Sequence, residues 1–170
     1  LGRSVGRTYP PKVAPPADAP IALSVRDLTA AGVKGASLDI RAGEIVGLAG
    51  LVGAGRSELA RAIFGAVPAA AAELRAGSTP LPGTPLGSIR AKVTMIPESR
   101  KDDGLMLRRP VRENVSLASI RSFARLGFVQ RRPEGERVRG ALASVAATSA
   151  LETAPAALSG GNQQKLLFAR

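Results

Sequence analysis

Gly50-Leu51-Val52-Gly53-Ala54-Gly55-Arg56-Ser57 is the stretch on which the reading of this chain turns. Glycines at this density let successive backbone N–H groups turn inward around an anion. A helix beginning at the end of such a loop adds its own N–H groups and its positive dipole end. The spacing is that of a phosphate-binding loop, with Arg56 where lysine is usual and with Ser57 supplying a hydroxyl for Mg²⁺. Arginine keeps its charge and binds phosphate through a bidentate fork, though it is longer than lysine. Glu58 follows, and a carboxylate so near phosphate must point away or pair, with Arg61 or Arg56 as partners. The bland alternative is a glycine-rich strand-to-helix turn with no ligand.

Working outward, Ile45-Val46-Gly47-Leu48-Ala49 is an apolar run that suits a fully buried parallel strand. Ser57 reads as the cap of the helix after the loop, with Leu59, Ala60, Ile63 and Phe64 as its inner face and Gly65 as its stop. Upstream, Leu23 and Val25 alternate with Ser24 and Arg26, and Leu38 and Ile40 flank Asp39, as in two half-buried strands. Residues 41–44 form a turn between the second strand and the apolar run. Residues 66–90 read as loops around short edge strands. Val93, Met95 and Ile96 suggest one more strand, ended by Pro97. Val111 to Ile120 looks helical. Val138, Leu142, Val145 and Ala146 are spaced as the inner face of a later helix, and 148–155 is a loop. Residues 1–20 hold five prolines and read as an extended linker.

Composition bounds the chemistry. The 170 residues contain no cysteine and no histidine. Disulfides, a thiolate metal site, a histidine base and a histidine-bearing triad are therefore excluded within them. Only four Phe and one Tyr are present, so Ala, Val, Leu and Ile must build the core. No apolar run is long enough to span a bilayer, and the chain reads as soluble and cytoplasmic. The formal net charge of +11 suits a polyanion partner. The basic residues are spread out, however, and no aromatic residues interleave with them, so a solvated surface is the better reading and nucleic acid is not expected as a partner.

A second motif, Leu158-Ser159-Gly160-Gly161-Asn162-Gln163-Gln164-Lys165, opens a last helix that carries Leu166, Leu167 and Phe168. Ser159 is its cap. Alone it is a flexible turn; about a hundred residues after the first loop, it is a second anion site of the same physical type. Residues 47–59, residues 158–165, and Ile96-Pro97-Glu98-Ser99-Arg100-Lys101-Asp102-Asp103-Gly104-Leu105 with Val111-Arg112-Glu113-Asn114 together resemble the ABC transporter ATPases. They look like the second ATPase domain of the ribose, galactose and xylose importers.

The resemblance covers residues 21–170 and implies an α/β P-loop NTPase fold with a small antiparallel β region and a helical signature subdomain at about 100–160. Residues 1–20 become the linker between two fused ATPase domains. ATP and Mg²⁺ are the implied cofactors, with Gly50, Leu51, Val52, Gly53, Ala54, Gly55, Arg56, Ser57 and Glu58 around the phosphates and Ser57 on the metal. Two such domains would pair head to tail. Ser159, Gly160, Gly161 and Asn162 would then meet the γ-phosphate of a nucleotide on the partner domain. Glu98 falls at the Q-loop position, and the segment from Arg100 to Ile120 would face the membrane permease, its plainer reading being a solvated loop and helix. A sugar-binding protein is an indirect partner, and the implied place is the cytoplasmic face of the membrane, held peripherally. The implied work is coupling ATP binding and hydrolysis to monosaccharide uptake; the alternative is a regulatory, non-hydrolysing nucleotide-binding or interaction domain of the same transporter, which Arg56, Glu58 and Glu98 favour.

The 170 residues contain no apolar strand closing in Asp-Glu. The resemblance therefore implies an ABC domain incomplete at its C-terminus, which alone does not hydrolyse ATP efficiently. No aromatic residue lies between Leu28 and Leu38, where adenine is stacked in many relatives, so the grip on the base is weak.

Overall fold

The computed structural model describes residues 14–16 and 18–170. Most of the expected linker lies outside the described residues. The chain divides after Met95 into two compact units.

The first unit is built on a hairpin. Strand β1 (Ile21–Ala30) pairs antiparallel with β2 (Val33–Arg41), with Val25 opposite Leu38 and Leu28 opposite Ala36. On its other edge β1 takes β4 (Glu73–Ala76) and the two-residue β3 (Ala69–Ala70), and β4 takes β5 (Thr79–Pro80). Because β1 is central, Ser24 is buried beside Val25, and the simple in-and-out alternation read from the sequence is interrupted. A shift of register between Val25 and Leu28 leaves Asp27 at φ 50°, its N–H bonded to Ser37 Oγ at 2.9 Å. Across the hairpin, Arg26 donates to Asp39 at 2.6 Å. That hydrogen bond holds the Asp39 carboxyl below its ordinary range.

Helix α1 (Arg56–Phe64) closes this core by laying Leu59 and Ala62 against Val25, Leu28 and Val33. Ala60 is exposed and Phe64 only half-buried, so the inner face is Leu59, Ala62 and Ile63 rather than the one read from the sequence. Gly65 ends the helix as expected, at φ 78°, with its N–H returned to Ala62 O. A short helix α2 (Pro85–Arg90), capped by Thr84, follows where only loop and strand were anticipated.

Two expected strands are absent. Residues 45–49 and 93–96 have no strand pairing, and Ile45 is 98% exposed. Backbone donors and acceptors in a strand must be met by a neighbour. Every strand pairing among the described residues of this unit is antiparallel and made by β1 or β4, and none reaches these runs.

The second unit is helical. Its core joins Leu105, Val111, Val115, Val138, Leu142, Leu166 and Leu167. All but Leu105, which precedes them, come from α3 (Val111–Ser116), α4 (Arg131–Ser144) and α5 (Gly160–Ala169). A tighter 3₁₀ turn, 117–123, extends α3 and leads into a hairpin of β6 (Ala124–Arg125) and β7 (Phe128–Val129). Helix α4 stops at Ser144, so Val145 and Ala146 are not on its inner face; Ala146 turns left-handed at φ 49°.

Polar groups tie this unit together. Asn114 is buried, accepting from Met106 N–H at 2.8 Å and donating to the carbonyls of Met106, Arg109 and Pro110. It thereby satisfies the backbone that enters α3. Glu134, 1% exposed, accepts from Ser116 Oγ at 2.7 Å and faces Arg112, whose other edge pairs with Glu152.

Candidate functional site: a glycine loop and a serine-capped helix

The loop at 50–55 is shaped by two left-handed glycines, Gly53 at φ 85° and Gly55 at φ 81°. Ala54 N–H returns to Leu51 O at 3.0 Å and closes the tip, leaving Leu51 and Val52 almost fully exposed. Gly55 is the packed end. A Cβ there would stand 2.4 Å from the carbonyl oxygen of Gly32, in the turn between β1 and β2. That turn fixes where the loop hands over to α1. It also occupies Val33, which is buried in the core and offers no platform for a base.

Ser57 was expected to cap α1; it lies inside the first turn. Gly55 holds the cap position and no side chain bonds there. The physical reason is that the left-handed glycine already turns the chain into the helix, which starts at Arg56. Arg56 is exposed and folds back over the loop: its Nη2 donates to Leu51 O at 3.4 Å and its Cδ lies 3.7 Å from where a Cβ on Gly50 would be. A long, weak bond of this kind exchanges readily for a charge-assisted bond to an anion. Glu58 leans the other way, its Cγ 3.5 Å from the Cβ position of Gly32. The residues from Gly50 to Glu58 thus form one contiguous surface with a cationic fork on one side and the carboxylate stem on the other. No cluster of three His, Cys, Asp or Glu among the described residues could hold a metal. Ser57, with its hydroxyl in the first turn, remains the residue of this loop suited to touch Mg²⁺.

Ser159, Gly160, Gly161 and Asn162 lie in the second unit. Ser159 caps α5, accepting from Asn162 N–H. Two residues of this region were not singled out from the sequence. Gln163 is buried and donates through Nε2 to Pro155 O at 2.9 Å and Leu158 O at 3.3 Å. Its Oε1 accepts from Arg100 Nε at 3.1 Å. The Arg100 guanidinium lies over the first turn of α5, with Nη2 3.2 Å from where a Cβ on Gly160 would stand. The only signal available beforehand was their membership in the two quoted motifs. Glu98 is exposed, just before a wide helical turn at Arg100–Gly104 whose first residue is capped by Ser99. Gly104 packs against Leu167, and Arg170 donates to its carbonyl at 2.7 Å.

Comparison with known proteins was made against this geometry. The family described as ABC transporter matches residues 33–170. A ribose import ATP-binding protein of Burkholderia cenocepacia is 40% identical over 173 residues, covering all of this chain and 34% of that protein. A putative ribose/galactose/methyl galactoside import ATP-binding protein of Rhizobium etli is 41% identical over 174 residues, again over the whole chain and 33% of the relative. The chain thus spans about a third of the length of the curated relatives it matches. Among solved structures, cbiO1 of Clostridium perfringens, part of the ABC transporter complex cbiONQ, superposes with a TM-score of 0.67 at 18% identity, over 88% of this chain and 60% of that one. That likeness establishes the ABC ATPase fold. The chain belongs to the ABC transporter family.

Proposed function

We propose, with that membership as premise, that the chain is a nucleotide-binding domain of an importer that couples ATP binding and hydrolysis to monosaccharide uptake. The observation that carries this reading is the loop from Gly50 to Ser57. Its left-handed glycines, its arginine and its hand-over to α1 are what a triphosphate requires. Names of the relatives support a pentose or hexose as cargo. The particular residues at 47–59, 96–105 and 158–165 support the second of two fused ATPase domains.

In this reading Gly50, Leu51, Val52, Gly53, Ala54 and Gly55 hold phosphates through backbone N–H groups. Arg56 neutralises the outer phosphates and Ser57 reaches Mg²⁺, which when bound offsets phosphate charge. Ser159, Gly160, Gly161 and Asn162 meet the γ-phosphate of a nucleotide on the partner domain. Arg100, locked by Gln163, sets the first turn of α5 against the segment that includes Glu98. A groove of about 260 Å³ lined by Met106, Leu117, Ile120 and Val129 supports a docking surface for the permease. No described helix is long and apolar enough to cross a membrane; in this reading docking of this kind helps hold the domain at the cytoplasmic face. No apolar strand closing in Asp-Glu is present in these 170 residues, and hydrolysis by them alone is not expected.

Calorimetric titration of Mg-ATP tests the reading, with Arg56→Ala beside the parent chain. Saturable binding that the substitution weakens by about tenfold or more is the expected outcome, since a bond to a charged group contributes about 1.5–3 kcal/mol. A folded chain that ignores Mg-ATP, or binds it equally well without Arg56, would sink it.

A further inference from the structure

Residues 117–132 carry four arginines (Arg121, Arg125, Arg131, Arg132) and no acidic residue. In their midst stands the β6–β7 hairpin, whose turn is Leu126-Gly127. Leu126 is 91% exposed and Phe128 80%. Leu126 sits at φ 51°, a left-handed position that suits Asn or Gly and disfavours leucine. A bulky apolar side chain at the most exposed, least favourable backbone position does nothing for the hairpin itself. The hairpin is closed instead by its ladder and by Gln130 N–H to Phe123 O at 2.8 Å.

We propose that this hairpin is a direct contact with an anionic lipid surface, Leu126 and Phe128 entering the headgroup boundary and the flanking arginines pairing with lipid phosphates. Two exposed apolar side chains are far short of the roughly 800 Å² that each partner contributes to a stable protein interface. They are well matched to interfacial insertion, where a small apolar tip ringed by cations is sufficient. Arg121 and Arg125 are exposed and make no ion pair among the described residues, where Arg132 pairs only with Glu136 at the surface. Their charge is therefore available to phosphates. The proposal stands on the hairpin alone and is independent of the nucleotide reading.

Co-sedimentation of the whole chain with vesicles tests it, comparing phosphatidylcholine alone with phosphatidylcholine containing phosphatidylglycerol. Binding to the anionic vesicles only is expected. Arg121→Gln with Arg125→Gln should weaken it about thirtyfold. Leu126→Asn with Phe128→Thr should weaken it at least about tenfold. Asn suits φ 51° and Thr suits a strand, so that pair preserves the hairpin, which circular dichroism verifies. Lys34→Gln with Arg90→Gln removes the same charge from the other unit and should cost under about threefold, separating the hairpin from the general effect of a net charge of +11. The proposal is overturned if the chain binds neither vesicle or both equally. It falls equally if the control pair costs as much as the hairpin arginines, or if Leu126→Asn with Phe128→Thr binds as tightly as the parent. That last result would leave the tip to a protein partner.

Discussion

Gly55→Ala is the substitution on which the phosphate loop is most exposed to test. Two separate effects meet there. A side chain at φ 81° costs about 1–2 kcal/mol in the left-handed region. The new Cβ would also stand 2.4 Å from Gly32 O, a backbone atom that cannot swing aside. Forcing the β1–β2 turn from α1 costs about 1–3 kcal/mol by analogy with overpacked cores. Together the first unit loses about 2–5 kcal/mol, and its melting temperature falls by roughly 10–30 °C. Gly53→Ala supplies the comparison. It has the same backbone demand, φ 85°, but open space around its Cβ. Only the conformational part applies, about 1–2 kcal/mol and roughly 5–15 °C. Thermal unfolding followed by circular dichroism, with hydrogen exchange on the α1 amides to localise the loss, measures both. If the two variants melt together, the close approach of the loop to the β1–β2 turn does not constrain it.

Glu134→Ala should destabilise the helical unit by about 3 kcal/mol, because it strands Arg112 with only Glu152; Glu134→Leu with Arg112→Met should recover most of that in urea unfolding. The lowered Asp39 carboxyl stabilises the folded hairpin above its unfolded value near 4. That contribution fades as pH falls through the lower folded value, so acid titration of Asp39→Asn should show a flatter stability curve below about pH 4 than the parent. With no aromatic residue at 29–37, ATP and GTP should bind within about fivefold of each other, since base stacking of about 1–3 kcal/mol is lacking; competition calorimetry decides, and a large preference for adenine would reveal another base contact.

What could be read from the sequence is what local chemistry determines. Gly65 as a stop, Ser159 as a cap and the left-handed glycines of the loop at 50–55 are written in residue type at the position itself, and all three are found. The β1 and β2 strands were legible because a tight turn at Gly32 brings them together without help. Ile45–Ala49 and Val93–Ile96 failed for the opposite reason: apolarity states a wish for burial, but a strand forms only where another strand arrives. The hairpin at 124–129 was invisible because Leu126-Gly127 is not a turn signature of the usual kind. Asn114, Gln163 and Glu134 look like surface residues in any helical pattern. Their burial follows from backbone carbonyls and an arginine contributed by segments up to some sixty residues distant.

The glycine at the head of α1 gives the first unit an unusual debt. Where α5 brings its own serine to its first turn, α1 brings no side chain, and in the proposed role its cap is a phosphate. A helix completed by its ligand has no fixed stability. At a nucleotide level a hundred times the dissociation constant, the fold would gain about 2.7 kcal/mol. Persistence against proteolysis would then follow the nucleotide supply, and the energy status of the surroundings would be recorded in how long the protein lasts.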